Sequence, residues 1–256
     1  MREERRNWSE QELIVAFNLY CKLPFGQYHN HNKKVIELSK ILGRTPSSVS
    51  LKLCNFARLD PLHQKRGVKG MQHGSKLDEK IWNEFNQNWE KLAYESELLI
   101  AKFSKKTIEE TAHIEAADLP KGKMREAIIK ARVNQYFFRS AILSSYNQKC
   151  CITGLGITEL LVASHITPWA KDEKNRLNPH NGLCLNSIHD KAFERGFLTV
   201  TPEYRIKLSK YFDDFKKGGV VNDLFFKYNN QAIILPDKFL PSKEFLDYHY
   251  QKIFIK

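Results

Sequence analysis

One stretch constrains this chain more than any other: residues 162–196, VASHITPWAKDEKNRLNPHNGLCLNSIHDKAFERG. Leu160, Leu161, Val162 and Ala163 form a short β-type run that ends on Ser164 and His165, and Pro168 and Trp169 stop it. A polar loop follows over 171–178. Asn181-Gly182 is a strong turn signal, and Leu183, Cys184 and Leu185 form a second short run. Asn186 or Ser187 can then cap a helix carrying His189, Asp190, Ala192 and Phe193, which Gly196 ends. Strand, loop, strand, helix is a ββα unit that can hold one metal. Cys150-Cys151-Ile152-Thr153-Gly154 predicts a tight turn leading into it.

Composition narrows what such a unit could serve. The formal net charge is +12, with Lys and Arg spread along the chain, a field that attracts polyanions. A small anion or an acidic partner is the plainer reading of the same charge. Apolar residues reach 42%, enough to build cores. No run of about 18 apolar residues predicts a membrane span. MREERRNWSE has no apolar segment of the kind a signal peptide needs, so a cytoplasmic location is expected. The five cysteines are scattered and read as reduced thiols; without paired CxxC motifs, no structural zinc is expected.

Residues 8–60 predict a small helical module. Ser9 and Glu12 make a capping box before Leu13, Ile14, Phe17 and Tyr20, and Pro24-Phe25-Gly26 ends that helix. A second helix over 33–42 stops at Gly43. Thr45 and Pro46 then open a third, with Val49, Leu51, Leu53 and Phe56 expected inside. The pair reads as a helix-turn-helix, weakly similar to Myb-like and winged-helix modules. Arg44, Ser47, Ser48, Lys52, Asn55 and Arg58 are the candidate DNA contacts. The plainer alternative is a three-helix bundle with a solvated polar face. The Gly-, Lys- and His-rich residues 61–76 predict a basic loop or hairpin wing, its two histidines solvated. A helical pattern covers 77–103, a linker or short strand 108–119, and a helix 131–146. Past Gly196, the runs around residues 197–208 predict a hairpin, and Ser242 caps a last helix. The expected domains are therefore 1–76 for DNA recognition, 77–146 as a helical linker and 147–256 for the ββα unit with its extension.

The segments ASHITPW, NPHNGLCL and IHDKAFERG, in this order and spacing, resemble the HNH endonuclease family, strongly over about 147–205. They are most similar to a bacterial branch of restriction endonucleases, in which a module like 1–76 often precedes the nuclease. The resemblance implies an α+β chain: a helical recognition module followed by a ββα-metal nuclease domain. It implies cleavage of double-stranded DNA with Mg²⁺ or Mn²⁺. His165 is the expected general base, Asn181 the residue that orients the loop or lies near the metal, and His189 a further catalytic position. Lys171 and Arg176 are candidate phosphate contacts. Two positions depart from the commoner motif. Ser164 stands where an Asp or His often binds metal, and Asp190 rather than a His stands nine positions after Asn181. Neighbouring helix residues point about 100° apart. Asp190 is thus the favoured ligand, with Ser164 weaker and His189 a second ligand or phosphate contact. One such core cuts one strand, so a homodimer on DNA is expected. Each motif alone has an ordinary meaning, since a lone His after a strand is usually a satisfied polar residue and Asn-Gly is usually a turn. The competing reading of the whole is a DNA-binding regulator with a structural ββα unit.

Overall fold

A computed structural model describes residues 6–67, 74–115, 119–215 and 219–256. It is α+β and divides into two compact units, Met1–Ser140 and Ala141–Lys256. The first unit is helical: α1 (Glu10–Lys22), α2 (Lys33–Leu42), α3 (Pro46–Leu59), α4 (Pro61–Lys65), α5 (Lys76–Phe85), α6 (Trp89–Ser104), α7 (Ile108–Thr111) and most of α8 (Lys123–Ser145). The Ser9–Glu12 capping box opens α1. Gly43 closes α2 with φ +59°, in the left-handed region where glycine carries no Cβ penalty. Thr45 caps α3, with Pro46 in its first turn.

α1 is the hub of this unit, packing on α3, α5 and α6. Its Phe17 is fully buried, with ring centroids 4.9 Å from Phe56, 5.2 Å from Trp82 and 6.4 Å from Trp89. The contacts of α1 and α3 thus run past residue 76 into α5 and α6, and the contact boundary lies at 140/141.

Several expectations for this unit are corrected. α3 is rotated from the expected phase: Leu51 is 43% exposed, while Lys52 and Asn55 are buried beside Val49, Leu53 and Phe56. The polar pair can go inside because Asp78 receives both, at 2.8 Å from Lys52 and 2.9 Å from Asn55. The expected linker or strand at 108–119 contains the short helix α7, opened by a Thr107–Glu110 capping box. α8 begins at Lys123, earlier than expected, and the helical pattern of 77–103 is broken in two between Phe85 and Trp89. The expected wing falls partly on residues 68–73, outside the described residues, as is His73. Its first residues form α4, whose His63 is buried against Phe25 at 4.1 Å. No strand occurs in this unit among the described residues.

The second unit holds β1 (Leu161–His165), β2 (Gly182–Asn186), α9 (Ser187–Glu194), β3 (Leu198–Val200), β4 (Ile206–Leu208), α10 (Gly219–Leu224) and α11 (Lys243–Lys252). β1 and β2 pair antiparallel, with Ser164 opposite Leu183 and His165 opposite Gly182. β3 and β4 form a second hairpin, and α11 packs on β3. The C-terminal segment is integral to this unit. The Ile255 amide donates to the Gly196 carbonyl, and a β-carbon on Gly196 would collide with the Ile253 carbonyl. Among the described residues no helix is long and apolar enough to cross a membrane.

Glu12 supplies a pH test of the first unit. Burial opposes its charge, but hydrogen bonds from Arg44, the Ser9 amide and Arg6 outweigh it and hold the carboxyl at about 2, below its ordinary 4.5. A depressed carboxyl pKa contributes stability that is complete above 4.5 and lost as pH falls through about 2. Glu12→Gln is expected to lower the thermal midpoint at neutral pH and to flatten its decline in acid. Parallel melting curves for the variant and wild type down to low pH would contradict this.

Candidate active site

The ββα unit gathers its polar side chains through a buried amide. Asn181 is 1% exposed and immediately precedes β2. Its Oδ1 accepts from the Thr167 amide at 2.8 Å, and its Nδ2 donates to the Thr167 carbonyl at 3.2 Å and the Asn175 carbonyl at 3.3 Å. Its own carbonyl accepts from Ile166 at 3.0 Å. Asn181 therefore ties the loop after β1 to the strand that pairs with β1.

His165 ends β1, at the mouth of that loop. Its Nε2 lies 2.8 Å from the Arg176 carbonyl. A carbonyl only accepts, so Nε2 carries the proton and Nδ1 is the basic nitrogen. Trp169 meets the ring edge-on at 5.4 Å. Burial lowers the imidazole pKa below its ordinary 6.5, against the opposing pull of the Arg176 carbonyl.

A cleft of about 280 Å³ is lined by Ser164, His165, Trp169, Asp190, Phe193, Glu194 and His249, among others. Ser164 donates a hydrogen bond to the Asp190 carboxylate. Burial pushes the Asp190 carboxyl above its ordinary 3.8, and Glu194 adds like-charge repulsion, while the Ser164 bond works the other way. Glu194 was not singled out from sequence. It lies one turn beyond Asp190 on α9, the spacing that puts two side chains on one helix face. His249, also not anticipated, reaches the cleft from α11. Its ring bonds Thr199 Oγ1 at 2.8 Å and the Phe193 carbonyl at 3.1 Å, and stacks on Phe193 at 3.7 Å. Burial holds its pKa at about 4, so it packs as a neutral ring.

His189, expected in both the catalytic and the metal sets, is not among the residues that line this cleft. It is fully buried, its Nδ1 3.0 Å from the Asn186 amide and its Nε2 2.6 Å from the Leu224 carbonyl. Phe225 and Tyr228 pack edge-on against it. It also bonds the buried Cys150. Burial raises that thiol's pKa, but bonds from His189 and Thr153 outweigh it and hold the thiol at about 7.

A family model described as HNH endonuclease matches residues 150–201. Residues 150–201 carry an HNH endonuclease domain. The protein is accordingly a nuclease acting on phosphodiester bonds. HNH nucleases generally use a divalent metal ion, and their substrate is DNA. No curated protein matches the chain.

Most of the expected DNA contacts do not face solvent freely. The Arg44 guanidinium forks onto Glu12 at 2.9 and 2.8 Å, donates to the Asn7 carbonyl at 2.8 Å and stacks over Trp8 at 4.1 Å. Lys52 and Asn55 are bound to Asp78 inside the first unit, and Arg58 pairs with Glu79 at 3.2 Å. Ser47 is exposed and accepts from Asn30; Ser48 is half-buried, its amide capped by Thr45. In the HNH domain Lys171 is exposed, while the Arg176 side chain turns onto Trp169 and Glu173.

With His165 as the base, its lowered pKa leaves the ring neutral, and so able to take a proton, through the neutral range. The acid limb of the cleavage pH–rate profile is expected below pH 6.5, with no loss between pH 6.5 and 8. A limb centred above 6.5 would contradict a buried neutral His165.

Proposed function

We propose that this nuclease is a Mg²⁺-dependent DNA endonuclease of the restriction type, acting in the cytoplasm as a homodimer on double-stranded DNA. One observation carries the reading: His165, Ser164 and Asp190 line a single cleft on the HNH domain. Hydrolysis consumes one water. Its oxygen bonds to phosphorus, its proton passes to Nδ1 of His165, and a P–O ester bond breaks. Asn181 keeps the loop in place while this happens. The donors available to an ion are the Asp190 carboxylate, the Ser164 hydroxyl and the Glu194 carboxylate, all oxygens, and these fit a hard cation such as Mg²⁺. Among the described residues no group of three or more His, Cys, Asp or Glu forms a ready-made metal cage. Such partial protein coordination suits a Mg²⁺ shell shared with water and substrate phosphate. The bound ion would neutralise charge at the scissile phosphate and favour departure of the leaving oxygen.

Recognition is assigned to the first unit, from the α2–turn–α3 order and the +12 net charge. The face of α3 presented for it is Ser47, Leu51 and Cys54 rather than the basic residues of that helix. Sequence-specific and modification-dependent recognition are both compatible with this face. A single cleft serves one strand, so a double-strand break takes two copies.

Plasmid DNA, unmodified and methylated, incubated with Mg²⁺ or Mn²⁺ tests the reading. Wild type is expected to cut at least one substrate, and chelation to stop it. His165→Ala is expected to lose about 10²–10⁴-fold in rate with DNA binding retained. Cleavage by His165→Ala at the wild-type rate would remove His165 from the mechanism.

A further inference from the structure

Arg176 and Trp169 stand apart among the residues near the cleft, because the Arg176 carbonyl and the Trp169 ring both meet the His165 ring. The loop between β1 and β2 is closed by main-chain bonds at its ends, Ile166 to the Asn181 carbonyl at 3.0 Å and Asn181 to the Asn178 carbonyl at 2.9 Å, with few between them. Lys171 donates to the Pro168 carbonyl at 2.8 Å and Asn178 to the Asn175 carbonyl at 3.2 Å; the Arg176 amide reaches Glu173 only at 3.5 Å. Side chains hold the loop instead. Asn175 bonds Asp172 at 2.7 Å and Asn178 bonds Asn175 at 2.9 Å. Towards the far end of the loop Arg176 makes four further contacts. Its carbonyl accepts from His165 Nε2 at 2.8 Å. Its Nε donates to the Trp169 carbonyl at 2.9 Å. Its guanidinium lies over the Trp169 ring at 5.2 Å, with Glu173 at 3.3 Å on Nη1. The Trp169 ring in turn meets His165 edge-on at 5.4 Å, the rings 87° apart.

We propose that Arg176 and Trp169 form a brace that fixes the tautomer and aim of His165, making both positioning residues for hydrolysis. The inference rests on His165 being the base. A planar guanidinium bonds a carbonyl and covers an indole face at once, which a lysine ammonium cannot do in one geometry. If the brace slackens, the Arg176 carbonyl leaves its place under Nε2. The ring is then free to turn, or to carry its proton on Nδ1, where it no longer accepts one. The same arrangement takes Arg176 out of the set of DNA-phosphate contacts expected from sequence.

Single-turnover cleavage at saturating DNA separates the two roles. With the full-length protein, Arg176→Ala and Trp169→Ala are each expected to lower the rate constant about tenfold or more, since second-layer groups that orient a working ligand or base commonly contribute on that scale. DNA affinity and its salt dependence are expected to stay at wild-type values. Trp169→Phe, which keeps an aromatic edge, should recover most of the rate, whereas Arg176→Lys should not. The double variant should lose no more than the worse single, because both act on one ring. A wild-type rate in Arg176→Ala overturns the brace. So does a loss confined to DNA affinity, with a salt slope lower by about 1 and rescue by Arg176→Lys, the signature of a phosphate contact. His165→Ala run alongside tests the premise: if it cuts normally, the base assignment has failed, whereas if it is inactive while Arg176→Ala is normal, the brace alone has failed.

Discussion

The amide of Asn181 is the interaction on which the HNH domain's geometry depends. Removed from water, it has one oxygen and one nitrogen to satisfy, and both bond the main chain of the loop that follows β1. An unsatisfied buried amide is costly, on the order of 1–3 kcal/mol. The loop is therefore fixed wherever β2 is fixed, and β2 is fixed by its ladder with β1. His165 is thus held from two sides, by its strand and by the loop carbonyl of Arg176. The cleft between β1 and α9 follows from that constraint.

α9 shows how one helix separates two adjacent polar residues into different surroundings. Asn186 caps it, its Oδ1 accepting from the Ile188 and His189 amides at 3.1 and 2.9 Å while its Nδ2 meets the His189 ring. The cap sets the rotational phase of the helix. With His189 turned into the protein, Asp190 turns toward Ser164 on β1, and Glu194 follows it one turn later. The Asp190 carboxylate is half-buried beside another carboxylate, an arrangement that a divalent cation would relieve.

The ββα order was legible because its signals are local. The β-type run before His165, Asn181-Gly182 and the cap at Asn186 each act within a few residues. Which of His189 and Asp190 faces the cleft was not, because it hangs on helix phase and on a carbonyl at Leu224 far along the chain. The same limit explains α3. Lys52 and Asn55 read as a polar outer face and Arg44, just before α3, as a DNA contact, yet their partners Asp78 and Glu12 come from other helices. Once paired, these charges enter the interior and Leu51 is left outside. Glu194 was within reach, as a second carboxylate at helical spacing from Asp190. His249 was not, since nothing in its own neighbourhood marks α11 as part of the cleft.

The proposed cutting centre lies on the Asp190 face of α9, with His189 in the core. It is tested most directly by comparing single-turnover, metal-dependent cleavage by Asp190→Asn and His189→Asn, with the melting temperature of each. Asp190→Asn is expected to melt like wild type and lose metal-dependent cleavage, whereas His189→Asn is expected to melt lower while the protein that remains folded still cuts. Full activity in Asp190→Asn, with an unaltered melting temperature and lost cleavage in His189→Asn, would contradict it.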